Sequence, residues 1–342
     1  MRKRAAALII AFSLTAGMIT GCSSKLDNSE VIIEIGDQQV TADVANFYAR
    51  YQQSYYETYY ASYFGGDDMW STEASDGMDY EESVKNDALK ALKSIYVLNT
   101  HKEEYDVEIT EEEQKAIETA AKEFVEANGE DELSVVSGTE DAVKKVLELL
   151  TIQDKMYDVM TVDVDTEVSD DEAAQKKMVY VRFAFTYTDD DGNSVEYTED
   201  ELESLKKEAE DFAKLAAEED DFSNYATEEG YEPQETTFDS ESTSLASELI
   251  EAADKLGEGE MTGLVETDSA YYVAEVVSLL DRDATDTKKK SIVTERKDDH
   301  YQKMLDGWIE EADPQVNESA WAKVDFKNQG VTVKQIEEEA EE

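Results

Sequence analysis

The sequence predicts an α+β protein: a helical body built from both ends of the chain, with a smaller α+β domain inserted between them. Three observations predict it. Apolar residues recur at helical spacing from Thr41 to Met156 and again from Ile292 to Trp308. The spacing switches to two-residue alternation at "MVYVRFAFTYT", from Met178. A second aromatic and β-branched run, "AYYVAEVV", closes the middle third before helical spacing returns.

The N-terminus stands apart from this body. Arg2, Lys3 and Arg4 precede an apolar run from Ala5 to Met18, too short to cross a bilayer comfortably as a helix. A basic start, a short apolar centre and small residues before a cut site describe a secretory leader. The cut site, Ile19-Thr20-Gly21-Cys22, resembles the bacterial lipobox. That resemblance implies lipid transfer to the Cys22 sulfur, cleavage before it, and a body tethered to the outer face of the cell membrane. Cys22 is the only cysteine of 342 residues, so no intrachain disulfide can form and thiol catalysis in the body is excluded. The bland alternatives are an ordinary leader with an incidental cysteine, or a buried structural thiol. Residues 22–30 read as a polar tether.

Composition narrows the function. Asp and Glu number 84 against 31 Lys and Arg, for a net charge of −53. Such a surface repels nucleic acid phosphates and anionic head groups, and it favours cationic partners, basic unfolded chains or divalent ions among them. The simplest reading of the charge is a solvated acidic face. With 40% apolar residues and 19 Tyr in periodic patterns, the chain is not a disordered acidic segment.

The elements follow in order. Val31–Ile35 is a β-prone run, Gly36-Asp37 a turn, and Gln38–Val40 a returning strand. Thr41 opens a helix carrying a tyrosine stripe, Tyr48, Tyr51, Tyr55 and Tyr59, whose 3-4-4 spacing is what burial demands. Tyr56, Tyr60 and Tyr63 lie off that stripe and are the candidates for contact with a partner. "GGDDMWSTEASDGMDY" reads as a loop, and a second helix runs from Glu81 to Thr100. Thr110 and Glu113 form a capping box for a third helix ending near Asn128-Gly129. A fourth carries Val143, Val146, Leu147, Leu150, Ile152 and Met156. Ser169 and Glu172 cap a short helix ahead of the first strand of the middle domain. In "DDDGN", Asp189, Asp191 and Asn193 imitate a calcium loop, but the Gly offset and closing Glu are absent, so it is a turn and no metal site is expected. A helix with Leu202, Leu205, Phe212 and Ala216 follows, then a Gly- and Pro-marked loop, then a helix ended by Gly257 and Gly259. Two strands with a turn at Asp268-Ser269 complete the domain. A long helix, a strand-like "WAKVDFKNQGVTVKQ" and an acidic tail finish the chain.

The middle third resembles a parvulin-type peptidyl-prolyl isomerase domain. Asp221-Phe222 with Tyr225-Ala226, Leu256 with Gly259-Glu260, and Val265-Glu266-Thr267 with Tyr271 carry the resemblance. With the lipobox, the N-terminal strand and helices, and the C-terminal helix and tail, the whole chain is similar to PrsA/SurA-like foldase lipoproteins. The resemblance implies a helical N-terminal domain (31–173) completed by a C-terminal helix and tail (284–335), an inserted parvulin-like domain (174–283), and an acidic tail (336–342). It also implies unfolded or nascent secreted polypeptides as partners, and no cofactor.

At the isomerase positions the chain departs from the family. The two family histidines fall on Phe183 and Tyr272, and the pocket-lining Met and Phe on Leu245 and Leu249. The chain's two histidines, His101 and His300, sit in helices outside that domain. Isomerisation has a barrier of about 18–20 kcal/mol from amide resonance, and a site lowers it by desolvation and placed donors. Phe183 offers no donor. Weak or absent isomerase activity with a retained binding groove is therefore the expectation. An active isomerase is one alternative, and a solute-binding or adhesive lipoprotein another.

Overall fold

The computed structural model describes residues 12–15, 26–64, 66–75 and 77–334. Cys22, the lipobox, the leader apart from residues 12–15, and the acidic tail 336–342 lie outside the described residues. The fold is α+β and divides into two compact units, Met1–Val164 with Asp298–Glu342, and Asp165–Lys297.

In the first unit, β1 (Phe12–Thr15) is followed by β2 (Val31–Ile35) and β3 (Gln38–Thr41), an antiparallel hairpin. Its turn needs the left-handed backbone of Gly36, at φ 54°. Ile32, Ile33 and Ile35 bury their side chains almost completely. α1 (Ala42–Tyr59) leaves directly from β3. A small hairpin, β4 (Glu73–Ser75) and β5 (Met78–Asp79), leads into α2 (Tyr80–His101), where Asp79 caps the start by accepting from the Glu82 N–H at 3.0 Å. α3 (Glu111–Ala127) starts with the reciprocal Thr110–Glu113 box, and α4 (Glu130–Val136) and α5 (Glu140–Met160) follow. Val84, Leu92, Ile95, Leu98, Ile117, Phe124, Leu149 and Ile152 meet in one core.

The second unit opens with α6 (Asp170–Ala173) and the long β6 (Lys176–Ala184). A hairpin of β7 (Thr186–Thr188) and β8 (Ser194–Glu196) turns at Asp189, whose Oδ1 accepts from the N–H groups of Asp191 and Asn193 at 3.0 and 2.8 Å. That carboxylate is spent on turning the chain. α7 (Glu199–Ala216), α8 (Phe222–Glu228), β9 (Gln234–Phe238), α9 (Ser247–Asp254), β10 (Val265–Glu266), β11 (Ala270–Ser278) and α10 (Arg282–Ala312) complete the run. The sheet is antiparallel throughout, in the order β10-β11-β6-β9. α7 and α8 cover one face through Phe212, Ala209 and Phe222, while α9 covers the other through Leu249, Ile250 and Ala253.

This unit is wider than the sequence-based boundaries 174–283, because ionic ties hold both flanks to it. Arg282 and Lys289 reach Asp170 at 2.9 and 2.5 Å, and Arg296 reaches Glu172 at 2.5 Å. The Gln175 N–H donates to Thr285 Oγ1 at 3.1 Å. α6 and the first half of α10 therefore count with the sheet.

After α10 the chain returns to the first unit. β12 (Gln315–Val316) pairs with β2, α11 (Glu318–Trp321) buries Trp321, and β13 (Gly330–Val333) pairs with β1. Arg50 of α1 holds this return while only 1% exposed. Its guanidinium donates to Gln53 Oε1 at 2.7 Å, to the Asp325 and Gln329 carbonyls at 3.0 Å each, and to Gln329 Oε1 at 2.6 Å. Burial lowers its pKa to about 10, which leaves it charged at neutral pH.

Two outcomes follow from these ties. Arg50→Met removes the guanidinium's bonds to Asp325 and Gln329, leaving those of Gln53 and Lys85 to the same return, and should destabilise the first unit by about 3–5 kcal/mol, read as a lower urea midpoint at neutral pH. In the second unit, burial pushes the Asp239 carboxyl up. Bonds from Gln175, Lys288, the Glu241 N–H and Ser242 outweigh that and hold its pKa at about 2, against an ordinary 3.8. Its contribution is present above 3.8 and is lost as pH falls through 2. Asp239→Asn should cost roughly 1–2 kcal/mol at pH 7, discounted for partial exposure, and close to nothing at pH 2. Urea titrations at both pH values read the difference.

Candidate functional site

Two surfaces bear on function, one in each unit. In the second, the β6–β11 ladder fixes which side chains can meet. Tyr271 lies opposite Phe183, Tyr272 opposite Arg182, and Ala274 opposite Tyr180. Opposed residues share a face and neighbours along a strand do not. Tyr272, Tyr180, Met178 and Leu249 therefore lie on the α9 face, with Leu245 half-buried at its margin. Phe183 lies on the other face, against α7 and α8, with its ring 5.6 Å from that of Phe212 and 5.0 Å from that of Tyr231.

This corrects the expected grouping. Phe183 cannot join Tyr272, because the pleat separates them, and it is 4% exposed in a packed core. The residue that does share a face with Tyr272 is Tyr180, with ring centroids 5.8 Å apart. Both hydroxyls are engaged. Tyr180 donates to Gln234 Oε1 at 2.7 Å, and Tyr272 accepts from Arg182 Nε at 3.1 Å. Leu249 is fully buried beneath them and so packs the sheet. The face presents two tethered phenols and an exposed guanidinium, and among the described residues no imidazole lies on it.

The opposite face carries a groove the sequence did not announce. It measures about 410 Å³ and is lined by Phe212, Leu215, Tyr225 and Tyr231, with Glu208, Asp211 and Glu229 on its rim. Gly230, at φ 90°, ends α8 and lets the Tyr231 N–H reach back to the Ala226 carbonyl at 2.9 Å. That turn lays Tyr231 on Phe212 and Phe183. Its hydroxyl donates to Glu208 at 2.6 Å, and burial followed by that carboxylate pushes its pKa up.

In the first unit, the tyrosine stripe does not stay buried. Tyr48 is buried and Tyr51 half-buried, but Tyr55 and Tyr59 are 46% and 54% exposed. The core supplies no neighbour over the last turns of α1. Of the contact candidates, Tyr63 and Tyr60 are exposed, whereas Tyr56 is half-buried against the core. The rings form a continuous series: Tyr59 to Tyr55 at 5.0 Å, Tyr55 to Tyr60 at 5.7 Å, Tyr60 to Phe64 at 6.2 Å and Phe64 to Tyr80 at 4.9 Å. Tyr56 joins it to Trp70, which packs on Phe326. His101, by contrast, stacks flat on Trp308 at 4.1 Å and approaches Glu104, as a structural contact, and His300 is exposed on α10.

The chain is similar to solved foldase structures. The foldase protein PrsA of Streptococcus pneumoniae matches at 19% identity over 75% of this chain and 98% of that one, with a TM-score of 0.30. The peptidylprolyl isomerase PrsA of Bacillus cereus matches at 19% over 75% and 95%, with a TM-score of 0.31. A structure from work on the SurA-like chaperones PEB4 and Cj1289 of Campylobacter jejuni matches at 10% over 84% and 98%, with a TM-score of 0.30. No protein-family model and no curated protein matches the sequence.

The face assignment separates two substitutions at neighbouring positions. Phe183→Ala should cost about 3–5 kcal/mol, as for any buried ring. Arg182→Ala, on the exposed end of the Tyr272 face, should cost under about 1 kcal/mol. Chemical denaturation of both variants checks this, and the reverse order would place Phe183 outside the core.

Proposed function

We propose that the protein is an extracytoplasmic foldase, tethered through lipid on Cys22, that holds unfolded secreted polypeptides. On this reading its parvulin-like unit has little or no prolyl isomerase activity. The observation that carries it is the cluster of exposed rings at Tyr55, Tyr59, Tyr60 and Tyr63. Monomeric proteins seldom leave clustered rings in water without a partner. Tyrosine supplies apolar area, a hydroxyl and low entropy cost, which suits contact with many sequences. The surrounding acidic charge draws basic segments and speeds their capture. The low catalytic expectation rests on the Tyr180–Tyr272 face. An amide twisting toward its transition state needs free donors placed on its oxygen or nitrogen; Tyr180 has already given its O–H to Gln234, and Tyr272, which accepts from Arg182 and keeps its own O–H, is buried under α9.

The test uses suppression of aggregation of a reduced, unfolded secreted protein. Tyr59→Ser with Tyr63→Ser should weaken suppression several-fold while stability stays within about 0.5 kcal/mol. Tyr187→Ser, at an exposed ring of the second unit, should leave suppression unchanged. No suppression by the parent protein sinks the holding role. A proline-containing peptide should isomerise near its spontaneous rate, and Tyr272→Phe should not alter it. Strong acceleration abolished by Tyr272→Phe reverses the catalytic half of the proposal. Incorporation of labelled fatty acid that is lost in Cys22→Ser checks the tether.

A further inference from the structure

β13 has two edges, and they are satisfied differently. Along one it lies on α1, where the Val331 N–H donates to Glu57 Oε2 at 2.6 Å and the Val333 N–H to Thr58 Oγ1 at 2.8 Å. Glu57 is itself fixed by Trp70 Nε1 and Gln53 Nε2, each at 2.7 Å. Successive peptide groups of a strand point to opposite edges. The groups between Val331 and Val333 therefore face away from α1, and the strand covering them is β1, in the antiparallel register Phe12↔Val333 to Thr15↔Gly330.

Those four residues lie inside the apolar segment read as a cleavable leader. We propose that β13 is an acceptor edge for an extended polypeptide, held by residues 12–15 in the full-length chain and vacated for a client strand when the leader is cut before Cys22. The vacating step rests on the leader reading, and the client on the foldase reading. The occupant already seated, Phe12-Ser13-Leu14-Thr15, is an extended segment of mixed apolar and hydroxyl residues, which is the backbone state of the polypeptides such a protein would meet. Strand addition reads the backbone first and side chains second, so it suits clients of unrelated sequence. The rigid support of α1 keeps β13 in place when its outer edge is empty. Its four-residue length keeps each engagement weak and reversible, and limits edge-to-edge association. Among the residues whose burial is described, the packed core begins at Leu26, so the test uses a chain beginning at Ser23.

The experiment titrates a fluorescent peptide of residues 10–17 into two proteins, the full chain and the chain beginning at Ser23, after matching their circular dichroism. Saturable binding to the shorter chain is expected, and binding at least ~10-fold weaker to the full chain, where the tethered strand competes at high effective concentration. Because Val331 and Val333 turn their N–H groups to α1, the register aims the N–H groups of Ser13 and Thr15 at β13. N-methylation at both should abolish binding, while N-methylation at Phe12 and Leu14 should leave it within about threefold. Equal affinity for the two proteins, or equal sensitivity to both methylation patterns, overturns the proposal. Aggregation suppression is measured on the same two proteins. Suppression without peptide binding removes the acceptor edge and leaves the foldase reading, and peptide binding without suppression does the reverse.

Discussion

The pairing of β6 with β11 is the constraint on which the second unit depends. Once Tyr271 lies opposite Phe183 and Tyr272 opposite Arg182, the two-residue period sorts every side chain of both strands. Val179, Val181, Phe183, Tyr271 and Val273 fall under α7 and α8, while Met178, Tyr180, Tyr272, Ala274 and Val276 fall under α9. Burial on both faces makes this register costly to shift, since a slip of one residue would carry Arg182 into a core and bring Phe183 out toward water. The polar character of the Tyr272 face is thus fixed by the packing on both sides of the sheet.

The same rule explains how far the site could be read from the chain. Alternation in "MVYVRFAF" and "AYYVAEVV" makes both strands legible, and the capping boxes at Thr110 and Ser169 place helix starts within a residue. Alternation does not give the register between two strands 90 residues apart. A motif match that assigns Phe183 therefore has no way to see that Tyr180 is the residue facing Tyr272. β9 reads as loop in the sequence, since Pro233 and Gly230 precede "QETTF", and its strand buries only Phe238 deeply. The partnership of β12 with β2 was equally hidden. It is two residues long and joins positions far apart in sequence. The groove beside Tyr231 depends on a single positive-φ glycine, which fixes where an aromatic lands without marking it in composition.

The tyrosine stripe on α1 shows a different limit. Helical spacing states which residues share a face, but not how far along the helix a core extends. Tyr48 and Tyr59 have the same angular position, yet one is buried and the other open, because the core beneath α1 stops short of its last turns. Tyr60 and Tyr63 lie on the 3₁₀ turn that follows or next to its start, and Phe64 and Tyr80 continue the rings. The exposed series is anchored by Tyr56 and Trp70, so it is a rigid surface with an inward root.

Charge ties these parts together through scarcity. With 84 carboxylates and 31 cations, many cations are committed to a joint of the fold. Lys323 meets Glu30 at 2.6 Å, Lys327 meets Asp79 at 2.6 Å and Lys334 meets Glu132 at 3.2 Å, all fastening the C-terminal return. Lys176 meets Asp254 at 3.0 Å, Lys206 meets Glu266 at 2.7 Å and Lys288 meets Asp239 at 3.1 Å, fastening the sheet to its helices and to β10. Exposed pairs of this kind contribute under about 1 kcal/mol each. Their number at the joints, and the unbalanced carboxylates elsewhere, make the chain sensitive to ionic strength in two opposing ways. Salt loosens the joints, and it also relieves repulsion among the excess carboxylates within about 8–10 Å. A basic polypeptide does locally what salt does globally, because it supplies cations to carboxylates that lack them. Arg50 stands apart from this balance, because its buried guanidinium is held by backbone and amide oxygens of the return and not by one exposed ion pair.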